Sequence, residues 1–293
     1  MTTRTRLLFI IIACILLLST ALVLYYLQWP SVAIVTDSFY RRSMLTDQAV
    51  LDIRVKLIQL RKRLVIIDIT DKALLEKETL AEELHNVLSR KDIKTIVTSP
   101  IITSLSSSLP NIFESETIFI GIGQNVVDSP FDYMLIRQEI DEGFLDALRM
   151  IRSQTIAGGP VSALLYPASS QKEIDEIIAL VEESPLVSIV QDKKIQASTV
   201  SEHLDRMKRL QVFTVLAYDT ERLDLYLNDP GSSGIQWVVD GEYRNAVRIE
   251  NLKGWIADDL YRSIQTIIET EASFDRKLPA IELPLRRVLR MTP

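Results

Sequence analysis

The segment Val32-Ala33-Ile34-Val35, followed by Thr36-Asp37, decides the fold class, because the same arrangement recurs along most of the chain. It is a short apolar run, rich in Val and Ile, that ends on small or polar residues. Six further runs follow: Leu64 to Ile67, Ile93 to Val97, Ile118 to Ile122, Val161 to Tyr166, Leu186 to Val190 and Val212 to Tyr218. Continuous apolar runs of this kind are typical of strands in a parallel sheet that is covered on both faces.

The segments between these runs have the periodicity of helices. Ile174, Ile177, Ile178 and Val181, for example, fall at positions i, i+3, i+4 and i+7, which places them on one helical face. Alternation of strands and helices predicts an α/β fold with doubly wound parallel sheets. Ligands of such folds bind at the carboxyl ends of the strands, so functional residues are expected there.

The alternation pauses at about residues 126–134 and restarts at Val161, which predicts two lobes. The expected first lobe comprises 31–128 with about 241–275, and the second comprises 129–240 with about 276–293. A helix is predicted at about 257–270. The final extended segment, Ile281 to Leu289, carries Pro284, which suits an edge strand.

Composition excludes several classes of function. The net charge of −6 and the pI of about 5.2 argue against a nucleic-acid surface, which needs a basic face. One cysteine, Cys14, and two histidines, His85 and His203, argue against a zinc site, and both histidines are interpreted as solvated helix positions. Gly121 and Gly123 lack the third glycine of a dinucleotide fingerprint. No cofactor and no metal are therefore predicted.

The first thirty residues are predicted to be a membrane anchor or signal segment. Leu7 to Leu27 is a run of 21 residues without a charge, and a helix of that length spans about 30 Å of hydrocarbon. Arg4 and Arg6 precede the run, so the positive-inside rule leaves the N-terminus in the cytoplasm and the remainder outside, in the periplasm.

Two processed forms compete with the uncleaved anchor. Ser19-Thr20-Ala21 could be cut by a signal peptidase near Ala21, and Ile11-Ile12-Ala13-Cys14 resembles a lipoprotein box that would lipidate Cys14. Apolar residues continue beyond both sites, which favours the uncleaved anchor. All three forms export the rest of the chain.

The order of strand ends resembles the type I periplasmic binding fold, the family of ribose-binding-like proteins and of the effector domains of LacI-type repressors. The segments that carry this resemblance are Val32 to Val35, Ile96 to Pro100, Val215 to Asp219, Trp237 to Asp240 and Glu282 to Leu289. The resemblance implies two α/β lobes joined by hinge strands, with a small ligand in the cleft between them. Closure over the ligand would then be a hinge motion.

The resemblance also implies a set of candidate ligand-binding residues at the strand ends: Asp37, Phe39, Tyr40, Gln124, Asn125, Tyr166, Asp192, Asp219 and Asp240. Carboxylates and amides can bind hydroxyl groups, and aromatic rings can cover the apolar face of a sugar or a base. Sugar binders of this family often have arginines after strand four and in the first turn of the second lobe. This chain has Gln124-Asn125 and Tyr166-Pro167 there, which disfavours an anionic ligand.

The sequence therefore predicts a membrane-tethered, extracytoplasmic solute-binding protein for a neutral sugar, polyol or nucleoside, serving an ABC importer or a membrane sensor. The alternative is a degenerate binding-fold module that makes protein–protein contacts at the membrane. An enzyme is not expected, because the sequence supplies no nucleophile with a paired base.

Overall fold

The computed structural model describes residues 3–106, 109, 117–123, 130–138, 141–156, 161–180, 186–191, 195–218, 220, 222–269 and 280–292. Its contacts divide the chain into two units. The first unit comprises 1–38, 47–136 and 264–283, and the second comprises 39–46, 137–263 and 284–293.

The described residues form twelve strands, which we number in chain order. They are β1 Ser31–Thr36, β2 Arg63–Asp68, β3 Ile93–Thr98, β4 Ile118–Ile122, β5 Tyr133–Arg137, β6 Val161–Pro167, β7 Val187–Gln191, β8 Val212–Ala217, β9 Gln236–Asp240, β10 Leu252–Asp258, β11 Ile281–Leu285 and β12 Arg287–Met291.

Eleven α-helices lie between or before these strands in the described part of the chain. They are α1 Thr3–Leu27, α2 Ser38–Ser43, α3 Asp47–Gln59, α4 Asp71–Leu75, α5 Lys77–Leu88, α6 Pro100–Ser106, α7 Glu142–Ile156, α8 Gln171–Leu180, α9 Ala197–Arg209, α10 Leu223–Asn228 and α11 Leu260–Glu269.

Each unit is built on one six-stranded sheet, and the two sheets have corresponding strand orders. The order is β11-β5-β4-β3-β1-β2 in one and β12-β10-β9-β8-β6-β7 in the other. The pairings of β1 to β5 with one another are parallel, as are those of β6 to β10, whereas β12 runs antiparallel to β10. The chain order reverses between β1 and β3, and again between β6 and β8, which places a topological switch point in each unit.

Burial explains why the strands have continuous apolar sequences. All six residues of β1 are buried, as expected of a strand that is covered on both faces. In the second unit, neighbouring residues of β6 enter different cores: Leu164 packs with Phe144, and Leu165 packs with Trp237. This is the alternation expected of a pleated strand, and the prediction of an α/β fold is confirmed.

Two strands were not expected from the sequence. Strand β5 lies inside the predicted pause, and β10 precedes the predicted helix at about 257–270. That helix, α11, begins only at Leu260. The preceding residue, Asp259, accepts two hydrogen bonds from its first turn: the side-chain Oδ1 accepts from the backbone N–H of Arg262 (3.2 Å), and the carbonyl oxygen accepts from the backbone N–H of Ser263 (3.1 Å). Lys253 and Gly254 interrupt the apolar run of β10, which is why its strand pattern is weak.

The unit boundaries also differ from the predicted lobe boundaries. Residues 241–263, predicted for the first lobe, belong to the second unit because β10 pairs with β9 and β12. The described residues 281–283, predicted for the second lobe, belong to the first unit because β11 pairs with β5. The final extended segment is in fact two strands, and each lies at the edge of one sheet as expected.

The N-terminal helix α1 covers 25 residues. Its described side chains begin at Ile11, and Leu17, Leu18 and Leu22 among them are more than half exposed. Among the residues that the structure describes, no helix is long and apolar enough to cross a membrane.

Candidate functional site

A buried arginine organises the carboxyl ends of β9 and β10 in the second unit. Arg287, the first residue of β12, is 2% exposed. Its guanidinium donates to Asp141 (Nη1 to Oδ2, 3.1 Å) and to Asp240 (Nη2 to Oδ2, 2.5 Å), and its Nε lies 3.5 Å from Oδ1 of Asp258. One cation thus joins the ends of two strands to the residue that precedes α7.

Each of the three carboxylates has a second partner that fixes its orientation. Asp141 accepts a 2.8 Å hydrogen bond from the backbone N–H of Phe144, in the first turn of α7. Asp258 accepts a 2.6 Å hydrogen bond from the hydroxyl of Tyr40. Asp240 also pairs with Arg137. These partners are needed, because a buried charge without a hydrogen-bonding or oppositely charged partner is strongly destabilising.

The environment shifts the pKa values of this cluster. Burial raises the pKa of the Asp258 carboxyl, although Arg287 and the Tyr40 hydroxyl oppose the shift. Burial alone would lower the pKa of the Arg287 guanidinium, but Asp240, Asp258 and Asp141 raise it, so the arginine is permanently charged. Partial burial, followed by the neighbouring charge of Asp240, raises the pKa of Glu242, whose side chain keeps access to solvent.

A cavity of about 150 Å³ opens beside this cluster, where β8 and β9 end. Its lining consists of Arg137, Ala217, Thr220, Leu223, Asp240, Glu242 and Tyr243. The volume is below the roughly 300 Å³ at which sites for drug-sized ligands begin, which favours a small occupant. The lining offers a guanidinium, two carboxyl groups and hydroxyls next to two aliphatic side chains, a set suited to hydroxyl groups on a small carbon skeleton.

Charge in this region favours neutral or cationic groups over anions. Arg137 and Arg287 face four acidic side chains, those of Asp141, Asp240, Asp258 and Glu242. The guanidinium of Arg137 is already engaged by Asp240. An anion entering the cavity would therefore meet an excess of carboxyl groups.

The first unit has a different arrangement at its switch point. Asp37, which follows β1, is 1% exposed and accepts a 2.6 Å hydrogen bond from the hydroxyl of Ser99, which follows β3. This pair ties the carboxyl ends of the two strands together. Ser38 donates a 2.8 Å hydrogen bond to Asp71 at the start of α4.

The other sequence-predicted site residues have varied positions. Tyr40 and Asp240 lie in the Arg287 cluster, and the ring of Phe39 is about half exposed (52%). Tyr166 is a core residue that packs with Phe144 and Tyr218 rather than presenting its ring at the strand end, and burial raises the pKa of its hydroxyl. The remaining candidates lie outside the described residues: Gln124, Asn125, Asp192 and Asp219.

Sequence reasoning missed the residues that connect this site. Arg137 ends β5, and the apolar run Tyr133 to Ile136 that precedes it was the available signal. Asp258 had no such signal, because it follows a segment without a clear strand pattern, and Arg287 lies inside the predicted extended segment, where the sequence does not distinguish it from Arg286. His203 is also corrected: it is not a solvated helix position, since its Nδ1 lies 2.7 Å from the hydroxyl of the fully buried Tyr226.

Comparisons with known proteins agree with this architecture. No protein-family model matches the sequence, and comparison with curated proteins gives no match either. Among solved structures, the chain is similar to an ABC transporter solute-binding protein from Conexibacter woesei, with a TM-score of 0.53, 12% identity, and coverage of 90% of this chain and 91% of that chain.

A second similar structure is AraP, an arabinose-binding protein from Geobacillus stearothermophilus. Its TM-score is 0.52 at 13% identity, with coverage of 90% of this chain and 97% of that chain. At this level of identity the likeness establishes the fold. Together with the two α/β units and their shared strand order, it shows that this chain has the type I periplasmic binding fold, as found in ABC solute-binding proteins.

Proposed function

We propose that this chain is a solute-binding protein and that its ligand is a small neutral molecule bearing hydroxyl groups. The observation that carries the proposal is the paired Arg137 and Asp240 lining a small cavity at the carboxyl ends of β8 and β9. That position is where ligands of doubly wound sheets bind.

The chemistry of the lining supports a sugar, a polyol or a nucleoside. A guanidinium donates in a planar fork and a carboxylate accepts with two oxygens, so Arg137 and Asp240 together can hold neighbouring hydroxyls. Ala217 and Leu223 supply apolar contact for the carbon skeleton. One structurally similar protein is named as an arabinose-binding protein, which supports the same ligand class. Binding, rather than catalysis, is the role we assign to these side chains.

We also propose that the protein is tethered to the membrane through residues 7–27, with its binding units outside the cytoplasm. Support comes from the uncharged run Leu7 to Leu27, from the continuity of α1 and from the exposed apolar side chains along its described part. In this arrangement the protein would deliver its ligand to an ABC permease or report on it to a membrane sensor.

A thermal-unfolding screen of the full chain in lipid nanodiscs tests the ligand proposal. The panel contains sugars, polyols, nucleosides and, as charged comparators, amino acids and sugar phosphates. A ligand at a hundredfold excess over its Kd stabilises the folded form by about 2.7 kcal/mol. We expect one neutral class to raise the melting temperature and Arg137→Gln to abolish the rise.

A matched control separates loss of binding from loss of charge. Arg149→Gln removes an arginine from the surface of α7, where the side chain is 70% exposed, and it should retain the ligand response. A response confined to sugar phosphates, or one that Arg137→Gln leaves intact, would contradict the assigned site.

A degenerate module for protein–protein contact is the second candidate, and a specific observation favours it. Three of the predicted ligand residues, Asp37, Tyr40 and Asp240, are buried and engaged by Ser99, Asp258 and Arg287 respectively. A well-folded chain that responds to no member of the panel would support this candidate. Such a result would redirect the proposed role to partner binding at the membrane.

A further inference from the structure

The amino ends of β1, β2 and β3 lie directly beside the point where α1 leads into the first unit. Helix α1 ends at Leu27 and β1 begins at Ser31, so three residues separate them. The rings of Tyr25 and Tyr26 contact the ring of Trp29, with centroids 5.8 and 5.2 Å apart. Amphipathic aromatic rings of this kind favour the boundary between lipid and water.

Two loops of the first unit are fixed to this junction by hydrogen bonds to the backbone of residues 29–31. At the start of β2, the backbone N–H of Arg63 donates to the carbonyl of Pro30 (2.9 Å), and its side-chain Nε donates to the carbonyl of Trp29 (2.9 Å). Ahead of β3, the carbonyl of Asp92 accepts from the N–H of Ser31 (2.7 Å). Both loops are therefore held within a hydrogen bond of the segment that joins α1 to β1.

These loops concentrate positive charge, and we name them together the tether-proximal basic surface. It consists of Arg61, Lys62, Arg63, Arg90 and Lys91. Arg61, Arg90 and Lys91 are exposed. The chain as a whole is acidic, with a net charge of −6, so a local excess of bases at the tether stands out from its surroundings.

In the described part of the unit, Asp92 offsets part of this charge. Arg63 and Arg90 both pair with Asp92, at 2.8 and 3.2 Å. Burial opposes ionisation of Asp92, but hydrogen bonds from Arg90 and Ser31 and the charge of Arg90 lower its pKa. Lys62 donates to the carbonyl of Ile268 (2.8 Å), which adjoins Glu269. For the side chains of Arg61 and Lys91, the described residues supply no hydrogen bond or ion pair.

We propose that the tether-proximal basic surface binds the anionic headgroups of the membrane in which α1 is embedded. The proposal rests on the tether proposed above and adds a lipid specificity to it. Charge complementarity is the reason: basic side chains adjoining a membrane segment are drawn to anionic lipid, and the attraction acts within a Debye length of the surface. The contact would hold the amino end of the first sheet against the bilayer.

The test compares lipids retained by the full chain. The protein is reconstituted into vesicles of equal parts phosphatidylglycerol and phosphatidylcholine. It is then released from the vesicles, and native mass spectrometry measures the ratio of the two lipids that remain bound to it. We expect phosphatidylglycerol to be enriched several-fold. The double variant Arg61→Gln and Lys91→Gln should lose this enrichment while keeping the ion pairs of Asp92, and salt at about 0.5 M should reduce it in the wild type.

A second double variant, Lys172→Gln and Arg206→Gln, removes two exposed bases from α8 and α9 of the second unit and should retain the enrichment. Flotation with pure phosphatidylcholine vesicles tests the tether independently. A chain that fails to float overturns the tether and the lipid contact together. A chain that floats but retains the two lipids equally overturns the lipid contact alone. That result would indicate that the basic surface serves another partner, such as an acidic protein.

Discussion

The hydroxyl of Tyr40 donates a 2.6 Å hydrogen bond to Oδ2 of Asp258, a residue 218 positions further along the chain. Both groups are buried. The short segment 39–46 thereby becomes part of the second unit, although β1 and α3 on either side of it belong to the first. Removing the donor should leave a buried carboxyl group short of one partner.

The first prediction concerns this hydrogen bond. Tyr40→Phe should lower the free energy of unfolding by about 1–3 kcal/mol, the usual cost of leaving a buried polar group unsatisfied. Urea unfolding followed by circular dichroism measures the change. Tyr25→Phe, at a half-exposed ring of α1, is the control and should remain within about 0.5 kcal/mol of the wild type. Equal effects of the two substitutions would refute a special role for the Tyr40 hydroxyl.

The second prediction concerns pH. Because burial raises the pKa of Asp258 above its ordinary value of 3.8, the folded protein holds this proton more tightly than the unfolded chain does. The resulting stabilisation is complete below about pH 3.8 and is lost as the pH rises through the raised pKa. Asp258→Asn abolishes this titration and keeps an acceptor for Tyr40.

The unfolding free energy of Asp258→Asn, relative to wild type, should therefore increase as the pH is raised from about 4 to 7. Urea midpoints measured across this range provide the comparison. Asp146→Asn removes a carboxyl that is 51% exposed on α7 and supplies the reference for a surface group. A pH dependence that is the same for both variants would show that the environment of Asp258 does not act as described.

The third prediction concerns the central cation. Arg287→Met should destabilise the protein by about 3–5 kcal/mol, because it leaves the buried carboxylates of Asp141, Asp240 and Asp258 without their shared partner. Arg287→Lys should have an intermediate effect, since it keeps the charge but loses the planar fork. Chemical unfolding measures both.

Arg286→Gln is the matched control for this series. Arg286 is the preceding residue, its side chain is 47% exposed, and it pairs with Glu142 at the surface. Surface pairs contribute roughly 0–1 kcal/mol, so this variant should unfold close to the wild type. If Arg287→Met were no more destabilising than Arg286→Gln, the cluster would not be the energetic centre of the second unit.

The fourth prediction concerns packing at the end of β9. A Cβ added at Gly241 would lie 2.5 Å from Sδ of Met44 and 2.9 Å from the carbonyl oxygen of Ile256. The thioether can move, but the backbone of β10 cannot do so without disturbing its pairing with β9. Gly241→Ala should cost about 1–3 kcal/mol, and calorimetric unfolding should register it. Recovery of full stability on adding Met44→Ala would show that the carbonyl contact is unimportant.

The sequence predicted the strands whose apolar runs are largely continuous and missed those whose runs are interrupted or follow turn residues closely. Strand β1 is buried at every position, so its sequence is continuously apolar and its assignment is secure. Strand β10 is buried at all positions except Lys253, but that lysine and the adjacent Gly254 break the apolar run. Strand β5 is well buried too, yet it follows closely on the turn residues Asp128-Ser129-Pro130, which concealed it.

Only about half of the candidate site could be predicted from the sequence. Tyr40 and Asp240 were predicted because they follow strands. Their partners Asp258 and Arg287 lie 218 and 47 positions away, and these pairings depend on the order of strands in the sheet, which the sequence does not show directly. The sequence also cannot show which of the two adjacent arginines, Arg286 or Arg287, is buried. Arg286, between β11 and β12, lies at the surface, whereas Arg287, the first residue of β12, is buried.

The position of Arg287 near the end of the second unit has a consequence for biosynthesis. Its carboxylate partners are made earlier, Asp141 by 146 residues and Asp240 by 47. A ribosome must therefore release residue 287 before the cluster is complete. A nascent chain stopped anywhere between 259 and 286 lacks the cation that Asp141, Asp240 and Asp258 share. Completion of this unit is thus a late event, and a protein shortened by a premature stop codon in that interval would be a target for proteolysis.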